Sequence, residues 1–407
     1  MKIGEFAKKH NITQDTIRHY LELGLLATEK KGGHYDFSES DSHDLIQIME
    51  LKNLSFSLNE IQRILTIQRI SGSNTNTFRN LYLSFLKDKQ TEVEYELTKF
   101  IKYNSLIKGK IHEIQSTESN SRKNLGFPIL SLHLLVCPKC RSDLNLSDGT
   151  IEENSIIDAN LRCSCGYEAK IRNGIFINES SVKTKLMNGE KMPSKEEYLA
   201  SSSYEYNNFL YKGMNSLIEF VNKYGSEPDY IMELDNCVGF FLLQYIKYLP
   251  GKSTYILIDY DIERINKLKY DLENYYEHKN FIFLCCDYEN LPIKTSSVDV
   301  LIDYNITKKY EDETGRELFG KILPIMKQDG ILAGSCRFLK QNSEKLINEI
   351  DKKYYNSNFY LERLQKHKYR VLDSANIGPV AGENVFNMEI TGTELYQSTY
   401  VCKKILG

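Results

Sequence analysis

Apolar residues recur at helical spacing twice within IGEFAKKHNITQDTIRHYLELGLL (residues 3–26), and a break at Asn11 separates the two runs. Thr13 is placed to N-cap the second run, and Ile12, just ahead of the cap, can staple onto Ile17. On that second helix Ile17, Tyr20 and Leu21 share an inward face, which leaves Gln14, Asp15, Arg18 and His19 pointing out. Lys30-Lys31-Gly32-Gly33 then leads into HYDF, whose alternation predicts a small hairpin with a basic tip. Between residues 77 and 115 the repeat changes to alternating steps of three and four. Leu83, Leu86, Gln90, Val93, Leu97, Phe100, Asn104, Ile107, Ile111 and Ile114 make one seam along a single long helix. A seam this narrow predicts a two-helix coiled coil, with Gln90 and Asn104 costing stability but fixing register.

The polar stretch STESNSRKN (116–124) interrupts the pattern and reads as a linker. From about residue 200, strand-like and helix-like segments alternate. Strands are predicted at 230–234, 254–259, 280–286, 298–304 and 330–336, with a helix over 262–276. Such alternation implies a parallel sheet covered by helices. Two later segments, 386–392 and 399–404, are expected to pair as an antiparallel hairpin at the sheet edge.

Length and composition narrow the class. A chain of 407 residues exceeds one ordinary core, and 41% hydrophobic with 26% charged residues describes a soluble multidomain protein. No run of about 18 apolar residues occurs, so no membrane span is expected. MKIGEFAKKHNIT has no apolar signal core, which points to the cytoplasm. The net charge of −3 does not single out nucleic acid, and residues 1–118 hold 16 basic against 16 acidic residues. Any DNA binding therefore comes from a local face: the polar outer side of the second helix suits a major groove, and the hairpin tip suits phosphate.

Cysteine spacing adds a metal. Cys137 and Cys140 are two residues apart, Cys163 and Cys165 one residue apart, and 22 residues separate the pairs. Two tight turns of this kind aim four thiolates at one centre, the arrangement of a tetrahedral zinc site. Four protein ligands fill the shell, so the zinc would be structural, stapling a knuckle of about 40 residues.

The N-terminal residues quoted above, the GGHYDFSESD hairpin and LKNLSFSLNEIQRIL resemble the winged helix-turn-helix of the MerR family over roughly the first 70 residues. The resemblance implies that Arg18, Tyr20 and the wing grip an operator, and that the long helix pairs antiparallel in a homodimer. It also implies a shared promoter with RNA polymerase and activation by twisting of the promoter DNA. The DNA-contacting set is then Thr13, Gln14, Thr16, Arg18, His19, Tyr20, Lys30, Lys31, His34 and Tyr35. The wing departs from the family's usual Gly-Tyr-Arg-x-Tyr: it reads Gly33-His34-Tyr35-Asp36-Phe37 and lacks the arginine.

Cys-Pro-x-Cys, Cys-x-Cys-Gly-Tyr and Asn-Gly-Ile-Phe-Ile resemble the zinc knuckle of RlmA-type ribosomal-RNA guanine methyltransferases. The segments that follow resemble a class I S-adenosylmethionine-dependent methyltransferase. That resemblance places Asp259 at the ribose hydroxyls and Asp287 near the adenine amine, with Asp299 at the start of the fourth strand. The cofactor loop, usually acidic-x-Gly-x-Gly-x-Gly, is here Glu233-Leu-Asp235-Asn-Cys237-Val-Gly239. Asp235 and Cys237 put side chains where bare glycine backbone lets a cofactor approach. After the fourth strand comes Asp303-Tyr304-Asn305-Ile306-Thr307, without an Asn/Asp-Pro-Pro-Tyr motif, and no residue set reads as catalytic.

The expected organisation is a winged helix-turn-helix over 1–75, a dimerisation helix over 76–117, a linker over 118–133, a zinc knuckle over 134–180 and a Rossmann-like α/β domain over 181–407. The leading reading is a dimeric regulator whose degenerate methyltransferase-like domain senses an unknown small molecule through Glu233, Asp235, Cys237, Gly239, Asp259 and Asp287. S-adenosylmethionine or S-adenosylhomocysteine is one candidate ligand. An active methyltransferase targeted by the DNA module, and a purely interacting domain, stay open.

Overall fold

Helix starts in the N-terminal part follow the caps that the sequence supplies. Thr13 Oγ1 accepts from the Thr16 amide at 3.1 Å. Ser38 and Ser57 each close a capping box, with Asp41 and Glu60 respectively. The resulting elements are α1 (Ile3–Lys9), α2 (Gln14–Glu22), the two-residue strands β1 (Lys30–Lys31) and β2 (His34–Tyr35), α3 (Glu39–Asn53), α4 (Leu58–Ser71) and α5 (Asn76–Ser116). Gly32 and Gly33 turn the hairpin with φ of 58° and 84°, a region glycine enters without strain. Phe6, Ile17, Tyr20, Leu45, Ile48, Ile61 and Ile64 form the core of this head.

The computed structural model describes residues 1–116, 124–178, 195–234, 239–278, 280–339, 356–380 and 394–405. The chain divides into two compact units, Met1–Glu118 and Ser119–Gly407.

Helix α5 runs for 41 residues. Its first turns join the head through Phe78 and through Lys89, whose ammonium pairs with Glu60 at 2.9 Å and Glu92 at 2.6 Å. Burial alone would raise the Glu60 carboxyl, but Lys89 and Ser57 bring it down to about 2. Beyond Lys89 the seam leaves the head: Leu97, Phe100 and Ile114 are 59%, 62% and 66% exposed. Burying one such side chain is worth about 1.5–3 kcal/mol, so the row is a surface that a partner helix would stabilise.

The second unit is built on one twelve-stranded sheet. Its chain order is β3 (Phe127–Pro128), β4 (Asn145–Glu152), β5 (Ser155–Arg162), β6 (Glu168–Arg172) and β7 (Ile175–Ile177), then α6 (Lys195–Ala200), α7 (Tyr204–Tyr224) and β8 (Tyr230–Leu234). There follow α8 (Leu242–Tyr245), β9 (Thr254–Asp259), α9 (Ile262–Tyr275), β10 (Phe281–Cys285), β11 (Val298–Tyr304), α10 (Ile306–Thr314) and α11 (Phe319–Ile322). Last come β12 (Met326–Leu339), α12 (Ser357–Lys366), β13 (Tyr369–Val380) and β14 (Leu395–Lys404). Spatially the strands run β13-β14-β12-β11-β8-β9-β10-β7-β6-β5-β3, with β4 paired to β5.

Strands β10, β9, β8, β11 and β12 are all parallel, as the alternation predicts. The chain winds outward from β8 through β9 to β10, then returns to start β11 on the other side of β8. The order reverses at the carboxyl ends of β8 and β11, and ligands favour such switch points.

Two features differ from expectation. The antiparallel strand β14 is not at the edge: it lies between β12 and β13. The edge is β13, whose YRVLDSANIGPV lacks a clean apolar alternation, so the pattern did not announce it; the segment 386–392 lies outside the described residues. The cysteine knuckle is also not a separate body. Its strand β7 pairs in parallel with β10, so the sheet passes through the boundary drawn at residue 180. Among the described residues no helix is long and apolar enough to cross a membrane.

Candidate functional site

Three places carry chemistry, and the first is the outer face of the head. A cavity of about 460 Å³ elsewhere, between the start of α7 and Ile377–Val380, includes none of the predicted site residues. In the head, by contrast, a cavity of about 410 Å³ between α2 and the wing is lined by Arg18, His34 and Tyr35 together with Lys2 and Glu22. The fold thus brings the expected recognition helix and wing to one groove; Lys2 was not anticipated, because periodicity in α1 says nothing of a residue before its first turn. Arg18 is held by Asp15 at 2.6 Å in an exposed pair, an i,i+3 contact that a phosphate would compete with. Lys30 Nζ lies 4.8 Å from the centre of the Tyr35 ring, so a cation stands over the position where the family usually has arginine. Thr13 and Thr16 bond each other at 2.8 Å and serve the cap. The ring of Tyr20 is buried in the head's core and its hydroxyl accepts from Lys52 Nζ at 3.3 Å. Gln14 and His19 are exposed.

The second place is the cysteine centre. The sulfur atoms of Cys137, Cys140, Cys163 and Cys165 all lie within 4.8 Å of one another. Cys137 and Cys165 approach to 3.5 Å, and Cys140 and Cys163 to 3.3 Å. Zinc–sulfur bonds of about 2.3 Å put tetrahedral ligands about 3.8 Å apart, so the spread fits a four-thiolate metal. Ser142, through its hydroxyl and amide, draws the Cys140 thiol down to about 6. The Tyr167 amide favours the Cys165 thiolate, yet the crowding thiols push that group up to about 12. Four anions do not share this volume without a cation, and a divalent metal supplies one.

The third place is the switch point of the sheet, at the carboxyl ends of β8 and β11. Asp235 and Cys237 lie outside the described residues. Gly239, the one glycine retained in the loop, has φ of 76°, and a Cβ there would sit 2.6 Å from Leu268 Cδ2 of α9. That is the close approach of a glycine that packs a helix against the strand. Glu233 is committed to its own chain: its oxygens accept from the Phe241 and Leu242 amides at 3.0 Å each, and from the Tyr255 hydroxyl at 2.7 Å.

Asp259 closes β9 as expected, but Arg264 from the first turn of α9 pairs with it at 2.8 Å. Asp287 accepts from the Asn290 amide at 2.8 Å, a local turn. Asp303 caps α10 through the Ile306 and Thr307 amides at 2.9 and 3.0 Å. As folded, each of the described acidic positions is engaged by groups of its own chain. Arg264 is the residue sequence reasoning missed; its signal was a basic residue five positions after the expected ribose-binding acid.

Burial raises three of the unit's carboxyls: Asp259 to about 6 despite Arg264, Asp303 to about 6 despite its helix amides, and Glu311 to about 7 despite Arg363. Each folded value lies above the unfolded one of about 4, so each contributes stability that is full below that value and lost as pH rises through 6–7. The second unit should therefore gain on the order of 2 kcal/mol between pH 7.5 and pH 5.5. Calorimetric unfolding across that window checks this, and a melting temperature that only falls on acidification would refute it.

Comparison with known proteins bears chiefly on the head. Residues 1–67 match the family described as MerR HTH family regulatory protein. The HTH-type transcriptional regulator YfmP of Bacillus subtilis is 32% identical over 120 residues, which cover 28% of this chain and 84% of that protein. An HTH-type transcriptional regulator of Pseudomonas aeruginosa is 39% identical over 69 residues, covering 16% of this chain and 52% of its own length. This chain therefore spans only about half of that second relative. Over the remainder, a SAM-dependent methyltransferase from Methanosarcina mazei overlaps 46% of this chain and 98% of its own, at 13% identity and a TM-score of 0.36. A score of that size adds nothing to what the strand order already establishes. By its first 67 residues, and by the share of YfmP that it covers, the chain belongs to the MerR family of helix-turn-helix regulatory proteins.

Proposed function

We propose that this chain is a homodimeric transcription regulator that binds promoter DNA through its two heads and receives a small molecule at the switch point of its sheet. DNA binding is supported by family membership and by the groove joining Arg18 to the wing. Dimerisation is supported by the exposed seam of α5. Two heads on a two-fold axis read a two-fold operator, and RNA polymerase is the partner at the same promoter. Ligand binding and DNA binding would then be linked, each altering the other's affinity by the same factor.

Reception in place of methyl transfer is carried by one observation: Arg264 already occupies Asp259. The carboxylate that would take the ribose hydroxyls must first lose a buried ion pair, which disfavours a nucleoside cofactor without closing the switch point to other compounds. An active methyltransferase is the second reading, favoured by the doubly wound sheet itself. Titration calorimetry with S-adenosylhomocysteine separates the two. Arg264→Ala should bind it about tenfold more tightly than the unaltered chain, the equivalent of one pair no longer broken. Equal affinities, or weaker binding by the variant, would remove the occlusion on which the receiver reading depends.

A further inference from the structure

We infer that Arg141 is the positioning residue through which a metal bound at the four-cysteine centre sets the segment carrying Asp287. The functional meaning rests on the receiver reading above; the geometry stands apart from it. Arg141 follows Cys140 directly, at φ 64°, and its amide bonds the Cys137 carbonyl at 2.8 Å, closing the first cysteine turn. Its guanidinium leaves the knuckle and donates to the carbonyls of Leu291 at 3.0 Å and Ile293 at 2.5 Å. Beside it, the Val136 amide bonds Pro292 at 2.9 Å and the Lys294 amide bonds Leu134 at 2.8 Å. Leu135 and Ile293 form an antiparallel bridge between these bonds.

The other end of the segment is fastened by the same knuckle. Strand β7 pairs with β10, and the Asn178 amide bonds the Cys285 carbonyl at 3.1 Å. Between the two fastenings runs CDYENLP, residues 286–292, with Asp287 turned into its Asn290 bond. Tyr167, two residues past Cys165, is buried in the same core cluster as Cys286 and Tyr288. The second cysteine turn therefore also reaches this segment.

A turn whose two thiolates are drawn to a metal holds Arg141 in its left-handed conformation, and Arg141 in turn holds carbonyls 291 and 293. Removing the metal frees the sulfur atoms to separate, and the bonds to 291–294 lose their fixed origin. Metal loading and the conformation of the Asp287 segment are then linked equilibria. A ligand that packs against this segment would meet it ordered only in the metal-loaded protein.

Amide hydrogen exchange on the full chain, loaded with zinc alone and no other ligand, tests this. Arg141→Ala, verified to retain one zinc per chain, should exchange its 286–294 amides about tenfold faster than the unaltered protein, the worth of about one net hydrogen bond. Exchange across β11 should stay unchanged, and Arg141→Lys, which keeps one donor, should recover part of the protection. Unchanged exchange at 286–294 in Arg141→Ala would overturn the proposal, as would acceleration equal in both segments. Failure of every small molecule to bind at the switch point would remove the receiver reading but leave these rates untouched.

Discussion

Replacing Leu97 and Phe100 together by glutamate should leave the chain monomeric and weaken its hold on an operator by about a hundredfold or more. Both residues lie on the α5 seam, at 59% and 62% exposure, two turns or more beyond Lys89, the last buried residue of α5. Neither belongs to the core of the head, so the substitution leaves that unit's folding intact. Four like charges at a paired seam oppose association, and a single head loses the second binding event that two linked heads share. Light scattering gives the mass, and titration of a duplex selected by the unaltered protein gives the affinity. A variant that remains dimeric would place the subunit interface elsewhere.

The second large effect concerns the cysteine centre. Cys137→Ser should reduce bound zinc from one per chain to none and unfold the knuckle. It removes one of four thiolates that lie within 4.8 Å of one another. Metal binding in such sites is worth on the order of 10 kcal/mol in apparent folding free energy, far more than the few strand pairs of a small knuckle supply. Because β7 completes the sheet beyond β10, the loss should also expose the β10 edge and lower the melting temperature of the whole second unit. Metal analysis and calorimetry read both outcomes. Zinc persisting at one per chain would show that the four thiols are not its ligands.

Much of this architecture was legible in the chain. Thr13, Ile17 and the inward face of α2 follow from capping and period, and the five parallel strands follow from alternation with helices. The placement of Tyr20 was legible twice, with opposite answers: periodicity sent it inward and the family resemblance sent it to DNA. The structure buries its ring. Packing settles the ring, while the hydroxyl beside Lys52 keeps the position that the resemblance gives it.

What the sequence hid are the pairings. Asp259 was placed correctly at the end of its strand, but nothing in the order of residues shows that Arg264 turns back to it. Glu233 likewise stands where a cofactor-binding acid is expected, while its oxygens hold the start of the next helix. A motif fixes where a residue sits; its hydrogen-bond partners come from the tertiary fold. The union of knuckle and sheet was hidden for the same reason, since β7 is three residues long and its partner β10 is more than 100 residues away.

The central claim is that the second unit receives a ligand and does not transfer a methyl group. The most direct measurement incubates the zinc-loaded protein with methyl-labelled S-adenosylmethionine, an operator duplex, ribosomal RNA and a small-molecule acceptor panel, and follows formation of S-adenosylhomocysteine. The account predicts none above the protein-free rate. Repeated turnover on any acceptor would contradict it.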